Sequence, residues 1–253
     1  MAGFRAYYED LRQARIGDTL RLSSDESRHL CGSLRAKDSD ILAIFDLNGN
    51  AFEARMQKAS AKSAEIVLLE RIEIPQPKKR VTIAQCLPKG GTFETIIAQS
   101  VQLGITGIYP LISERTVVRL DQKEVQKKHA KWTQNVVEAV KQSANMAALE
   151  LASISTLDTF LQNIPANSLK IVASLERDKS RPLLEIFNNA GVGFDEICIL
   201  IGPEGDLSAR EYSAAYEAGF IAADLGANVM KSEVAAAFCA AVAGAFLTGG
   251  FRA

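Results

Sequence analysis

Two glycine-containing loops near the C-terminal end of the chain carry the residues best suited to bind a ligand. The first, Gly202-Pro203-Glu204-Gly205-Asp206-Leu207-Ser208, follows an apolar run that ends at Ile201. Because glycine has no side chain, a ligand can come close to the main chain, whose free amides and carbonyls can surround a flat heterocycle. A single Gly-Pro-x-Gly is also typical of an ordinary tight turn.

The second loop, Gly226-Ala227-Asn228-Val229-Met230-Lys231-Ser232-Glu233, follows a second apolar run that ends at Leu225 and leads into an alanine-rich helix. The N-terminus of a helix presents unpaired amides and positive potential to an anionic group. Two such loops at successive strand ends favour a ligand site over two unrelated turns.

Several common kinds of site lack their sequence signals. The chain has no Gly-x-x-x-x-Gly-Lys-Ser/Thr and no Gly-x-Gly-x-x-Gly after a strand, so kinase and dehydrogenase functions lose their main support. Its four cysteines lie far apart without a Cys-x-x-Cys pair, which predicts reduced core thiols and no metal site.

The elements that must position these loops alternate between strands and helices. We predict strands at 81–87, 105–112, 170–175, 196–201 and 220–225, and helices at 92–103 and from residue 121 to about 149. This alternation predicts an α/β fold with a parallel sheet, and ligands bind beyond the carboxyl ends of such strands.

The first 75 residues follow a different pattern, with alternating strand-like runs at 41–46, 51–56 and 64–70 and a turn at Asn48-Gly49. They predict a small β-barrel. The proline-containing charged segment that follows predicts a linker, so we place one domain at 1–75 and a second at 76–253.

Charge is unevenly distributed along the chain. The net charge of −1 hides 11 basic and 5 acidic residues in segment 76–145, against 7 and 13 in segment 146–253. A basic segment is compatible with phosphate contacts, although solvated helix surface explains it equally well. We find neither a signal peptide nor a membrane span, which predicts a cytoplasmic protein.

The two loops together resemble those of the SPOUT methyltransferase clan, and within it the 16S ribosomal RNA (uracil-N3) methyltransferase family. The similarity rests on Gly-Pro-Glu-Gly-x-Leu-Ser-x-x-Glu followed by Leu-Gly-x-x-Val-Met-Lys-Ser-Glu-x-Ala-Ala. Further matching positions extend it over most of the chain: Arg28-His29-Leu30, Leu34-Arg35, 113–118, Trp132, Glu138-Ala139 and Gln142-Ser143.

This resemblance implies a SPOUT-type parallel sheet with a deep C-terminal trefoil knot, an N-terminal PUA-like RNA-binding barrel, and a homodimer whose partner helps complete each active site. It also implies S-adenosylmethionine as the cofactor and the 16S rRNA of the small ribosomal subunit as the partner. The residues expected to hold the cofactor are Leu175, Glu176, Ile201, Gly202, Pro203, Glu204, Gly205, Leu225, Gly226, Val229, Met230, Lys231 and Ser232.

Five positions depart from the family pattern. Asp206 stands in place of a glycine, Lys231-Ser232-Glu233 in place of Arg-Thr-Glu, and Asn228 and Asn145 in place of arginines. Lysine and asparagine lack the planar fork that arginine presents to phosphate or carbonyl oxygens. The alternatives are therefore a relative that binds RNA or ribosomal subunits without methylating, or one that methylates another nucleotide.

For catalysis, we expect Lys231 or Arg115 to stabilise negative charge on the uracil oxygens, with Glu233 orienting the cation. Glu233 is equally explained as a first-turn carboxylate stabilised by the helix dipole. The basic residues expected to contact RNA phosphates, which also fit a solvated surface, are Arg28, Arg35, Lys78, Lys79, Arg80 and Lys89.

Overall fold

A computed structural model describes residues 3–117, 121–191 and 193–248. The chain forms two units: Met1–Pro77 with Val140–Leu149, and Lys78–Ala139 with Glu150–Ala253. The first division falls near residue 75, and the geometry also groups residues 140–149 with the N-terminal unit. The division of the chain into an RNA-binding and a methyl-transfer domain stays a prediction.

Alternating side chains build the sheet of the N-terminal unit. Its described strands are β1 (Phe4–Tyr7), β2 (Thr19–Arg21), β3 (Ile41–Phe45), β4 (Ala51–Lys58) and β5 (Glu65–Ile72), in the order β1-β3-β4-β5-β2. In β4, Phe52, Ala54 and Met56 are buried while Glu53 and Arg55 face solvent, as a strand with one core face requires. The predicted small N-terminal β-barrel is thereby confirmed, and its described strands form one curled five-stranded sheet.

The N-terminal unit also contains a tight turn and one helical segment. Gly49 has φ +82° in the turn between β3 and β4, the conformation for which glycine was predicted. The helix α1 (Ser24–Ser27) continues into a wider π-helical turn, Arg28–Ser33. Glu26 of α1 is buried, and its carboxylate accepts a hydrogen bond from Lys141 Nζ at 2.6 Å. The core of this unit therefore contains an ion pair.

The second unit is built on the predicted parallel sheet. Its described strands are β6 (Arg80–Cys86), β7 (Gly107–Ile112), β8 (Glu150–Leu151), β9 (Ser155–Thr156), β10 (Ser168–Ala173), β11 (Arg181–Pro182), β12 (Glu196–Ile201) and β13 (Ile221–Asp224). Their order is β11-β13-β10-β12-β6-β7-β8, with β9 also on β7, and each described pair is parallel. The carboxyl ends of β13, β10 and β12 are therefore neighbours.

Helices cover both faces of this sheet, which confirms the α/β fold. The described helices are α2 (Thr92–Gln102), α3 (Gln122–Ser143), α4 (Leu157–Gln162), α5 (Leu183–Asn189), α6 (Ala209–Glu217) and α7 (Ser232–Leu247), with a 3-10 turn at Arg177–Lys179. Phe160 of α4 and Tyr212 of α6 pack with Cys198 and Leu200 on one face. On the other face α7 packs against α2, α5, β6 and β12.

The predicted end of the long helix was wrong. Helix α3 ends at Ser143 rather than near Leu149, and Ala144 has φ +59°. The Ser143 hydroxyl accepts a hydrogen bond from the Asn145 amide at 3.3 Å, a local contact that competes with helical hydrogen bonding. No helix within the described ranges is both long and apolar enough to cross a membrane.

Candidate functional site

The loops that follow β10, β12 and β13 meet around one cavity of about 510 Å³. This arrangement follows from the strand order, since parallel neighbours bring their carboxyl ends to the same edge. The predicted cofactor residues that line the cavity are Leu175, Ile201, Gly202, Pro203, Glu204, Leu225, Gly226, Val229, Met230, Lys231 and Ser232. The two glycine-containing loops therefore lie side by side.

The loop after β12 is a closed turn that presents its main chain. The Asp206 amide donates to the Pro203 carbonyl at 2.9 Å, which closes the turn. A Cβ at Gly202 would lie 3.4 Å from the Leu207 amide nitrogen, in van der Waals contact with the turn. The predicted capping box is confirmed, because the Ser208 and Glu211 side chains each accept the other residue's amide.

The loop after β13 depends on a glycine in an unusual conformation. Gly226 has φ +126°, and its amide donates to Asp224 Oδ1 at 3.0 Å. Helix α7 then begins at Ser232, directly beside the cavity. The buried Ser232 Oγ has no hydrogen-bond partner among the described residues, so an unsatisfied polar atom belongs to a residue of the cavity wall.

The loop after β10 supplies the third side of the cavity. Leu175 is exposed and lines it, whereas the predicted Glu176 does not. Instead the Glu176 carboxylate accepts hydrogen bonds from the Tyr216 hydroxyl at 2.7 Å and from Lys179 Nζ at 3.0 Å. These two hydrogen bonds lower the pKa of the carboxyl. Arg177 Nη2 donates to the Ala227 carbonyl at 2.8 Å, which joins this loop to the one after β13.

Arg115 and Gly205 contact each other beside the cavity without lining it. Arg115 Nη1 donates to the Gly205 carbonyl at 2.8 Å. The preceding residue, Glu114, donates its amide to Glu211 Oε1 at 2.7 Å, so the loop after β7 is attached to the start of α6. Of the family-like segment 113–118, Val118 lies outside the described residues.

Of the predicted catalytic residues, Lys231 and Glu233 line the cavity. Lys231 is exposed, and Glu233 lies partly buried in the first turn of α7. Of the three predicted catalytic residues, two therefore lie in the cavity wall, and the third, Arg115, lies beside it in contact with the turn after β12.

Sequence reasoning missed several residues of the cavity wall. Asp206 and Asn228 depart from the family pattern, and no sequence signal places them in the cavity wall although both stand inside the predicted loops. Thr92, at the start of a helix, and residues 173 and 174, at the end of a strand, could have been predicted to lie near the site from those element ends. The missed lining residues are Thr92, Ala173, Ser174, Arg177, Asp206, Asp224, Asn228 and Ala235.

The predicted RNA-contacting residues are distributed over both units. Arg28 and Arg35 are exposed in the N-terminal unit, where Arg28 lies 3.5 Å from Asp25. In the second unit Lys78 and Lys89 are exposed.

Two further candidates already have partners within the second unit. Arg80 pairs with Glu150 at 2.8 Å, and Lys79 Nζ lies 4.0 Å from the centre of the Phe194 ring. Their cationic groups are thus partly committed to contacts within the chain.

The cysteines take no part in this site. All four are free, and burial raises the pKa of Cys86, Cys198 and Cys239 to about 12, which keeps these thiols protonated. In the described part of the chain no three histidine, cysteine or acidic side chains cluster as metal ligands would.

Curated proteins of one name are similar to this chain over most of its length. The curated "Ribosomal RNA small subunit methyltransferase E" of Synechocystis is 28% identical over 87% of this chain and 71% of its own length. The Bacillus subtilis protein of that name is 26% identical over 90% of this chain and 91% of its own length.

Among solved structures, similarity extends over nearly the whole chain. A Neisseria gonorrhoeae ribosomal RNA small subunit methyltransferase E, bound to S-adenosyl methionine, has a TM-score of 0.86 and 27% identity. The alignment covers 96% of this chain and 97% of that one.

Two family profiles match the chain. The profile of the RNA methyltransferase PUA domain matches residues 22–69. The profile of the RNA methyltransferase domain matches residues 75–244, which include the whole cavity wall and more than half of the chain. The chain therefore belongs to the RNA methyltransferase domain family.

Proposed function

We propose that this chain transfers the methyl group of S-adenosylmethionine to N3 of a uridine in 16S ribosomal RNA. The observation that carries the proposal is the single cavity enclosed by three strand-end loops and lined in large part by glycines and apolar residues. The named relatives support the RNA substrate, and the solved Neisseria relative was bound to this cofactor.

The cavity fits S-adenosylmethionine in size and in chemistry. Its volume of about 510 Å³ lies within the range of sites that enclose a ligand of this size. The open space around Gly226 allows close approach to the main chain, and the unpartnered Ser232 Oγ offers a hydrogen bond. Residues 201–204 and 225–230 would hold adenine and ribose through backbone groups.

When bound, the cofactor supplies an electrophilic methyl group on a positively charged sulfur. The task of the protein is then to align the uracil nitrogen with that methyl group, which is mainly a matter of positioning. N3 must also lose its proton, so a cation near the two uracil oxygens would favour the reactive anion. We assign this role to Lys231 or Arg115, with Glu233 orienting the cation.

Lys231→Met tests this assignment, since it removes the charge and keeps much of the side-chain volume. We expect the single-turnover methylation rate to fall about 100-fold, the usual order for losing one electrostatic stabiliser, while cofactor affinity changes little. An undiminished rate would remove Lys231 from the mechanism and leave Arg115 as the candidate.

For the RNA, we propose that the N-terminal unit and the basic segment bind phosphates through Arg28, Arg35, Lys78, Lys79, Arg80 and Lys89. Affinity for 16S rRNA should then fall steeply as salt is raised, because each phosphate contact releases condensed counterions. Arg28→Ala should reduce that salt dependence by about one contact. A flat salt response would contradict the proposal.

The same proposal includes a knotted homodimer in the cytoplasm. Strand β13 lies between β10 and β11, so segment 174–180, which joins those two strands, must cross β13; this crossing supports a knot. Val234 and Phe238 of α7 are exposed at i, i+4 spacing and offer an apolar contact to a second copy. Light scattering on the purified chain tests the dimer.

The decisive experiment is mass mapping of ribosomal RNA from cells with and without this chain. We expect one methyl group to disappear from a uridine of 16S rRNA and to return when the chain is restored. Loss of a methyl group elsewhere would support methylation of another nucleotide. An unchanged methylation map, together with no cofactor binding in calorimetry, would support an RNA-binding relative without activity.

A further inference from the structure

Asp206 occupies a position in the cavity wall that few side chains tolerate. It is the last residue of the Pro203–Asp206 turn and has φ +60°. Aspartate is among the few non-glycine residues that adopt this region readily. Its side chain lines the cavity, so the turn places a carboxylate where a glycine would leave open space.

A buried tyrosine holds this carboxylate in place. The Tyr212 hydroxyl donates to Asp206 Oδ1 at 2.7 Å and accepts the Leu175 amide at 3.3 Å. Tyr212 is 3% exposed, and burial together with the Asp206 hydrogen bond raises the pKa of its phenol, which keeps it a donor. One phenol thus joins two of the three loops and orients Asp206.

Two other acidic groups of the wall each accept a backbone amide. Glu204 Oε1 accepts the Lys89 amide at 2.8 Å, and Asp224 Oδ1 accepts the Gly226 amide at 3.0 Å. Arg177, a cation of the wall, is bonded to a carbonyl. Asp206 likewise keeps one oxygen without a hydrogen bond among the described residues, and Tyr212 orients its carboxylate, so this group can act on a bound ligand.

We propose that Asp206 recognises the positive charge of the methyl donor and thereby distinguishes the donor from its demethylated product. This inference rests on the proposed function. The donor carries a sulfonium charge; after transfer the bonding electron pair stays on sulfur, and the product is a neutral thioether. A partly buried carboxylate therefore favours the donor, since the two ligands otherwise differ only in the transferred methyl group.

Calorimetric titration of S-adenosylmethionine and S-adenosylhomocysteine into the full chain tests this, with Asp206→Asn as the variant. Asparagine also tolerates positive φ and can still accept from Tyr212, so the turn should persist, and a melting curve checks this. We expect donor affinity to fall about five- to tenfold and product affinity to change less than twofold. Asp178→Asn, an exposed residue outside the cavity wall, is the matched control and should leave the ratio of the two affinities unchanged.

Three results would overturn the inference. Equal weakening of both ligands by Asp206→Asn would show that the carboxylate contacts groups that they share, and an unchanged ratio with unchanged affinities would show no role. Either outcome leaves the proposed function intact, because the wild-type chain still binds both ligands. If the wild-type chain binds neither ligand, the proposed function fails and this inference fails with it.

Discussion

Glu211 should control the candidate site although it does not line the cavity. Its carboxylate is 1% exposed and accepts two backbone amides, that of Ser208 at 2.9 Å and that of Glu114 at 2.7 Å. The hydrogen bond from Ser208 fixes the end of the loop after β12. The hydrogen bond from Glu114 fixes the residue that precedes Arg115. One buried group therefore fixes two loops relative to each other.

The expected cost of replacing Glu211 follows from these two bonds. A hydrogen bond to a charged group stabilises a protein by about 1.5–3 kcal/mol, and a buried amide left without an acceptor costs a comparable amount. Glu211→Gln keeps one acceptor oxygen and turns an NH2 group towards the other amide, so we expect a loss of about 2–3 kcal/mol. Glu211→Ala loses both acceptors, and we expect about 3–5 kcal/mol.

Denaturant unfolding measures the change, with Glu217→Gln as the control because Glu217 is exposed on the same helix. The control should stay within about 0.5 kcal/mol of the wild type. Under stabilising conditions, Glu211→Gln should also slow single-turnover methylation more than it weakens cofactor binding, because Arg115 loses its support. Wild-type stability together with a wild-type rate would refute this reasoning.

Three further predictions concern single contacts. Ser232→Ala removes the unpartnered hydroxyl, so the ligand-free chain should melt at the same temperature or higher while calorimetry shows about three- to tenfold weaker cofactor binding. Lys141→Met leaves Glu26 charged and buried, so denaturant unfolding should show a loss of about 3–5 kcal/mol, part of which Glu26→Gln in the same chain restores. Tyr216→Phe removes the largest cause of the lowered pKa of Glu176. A carboxyl whose pKa is lowered in the folded state stabilises the fold at pH values above its unfolded pKa of about 4.3, and this contribution is lost as the pH falls. The stability difference between the wild type and this variant should therefore shrink between pH 7 and pH 3.

Local sequence patterns were sufficient for most elements of the fold. The alternation in β4, the apolar runs of β6 and β12 and the Ser208–Glu211 capping box depend on neighbours in sequence, and the structure confirms them. The end of α3 was predicted wrongly because the residues after Ser143 are compatible with a helix. Side-chain contacts and the positive φ of Ala144 ended it instead.

For the site, the sequence by itself predicted which loops line the cavity, because glycines and a helix start that directly follow a buried strand are local signals of an open strand-end loop. Only the tertiary structure decided that β13 lies beside β10 and β10 beside β12, which brings three loops around one cavity. It also decided the roles of Tyr212, Asp206 and Glu211, whose partners are set by strand order and helix packing. Hydrogen bonds between distant segments depend on where the whole chain places each group, and no spacing along the sequence encodes that.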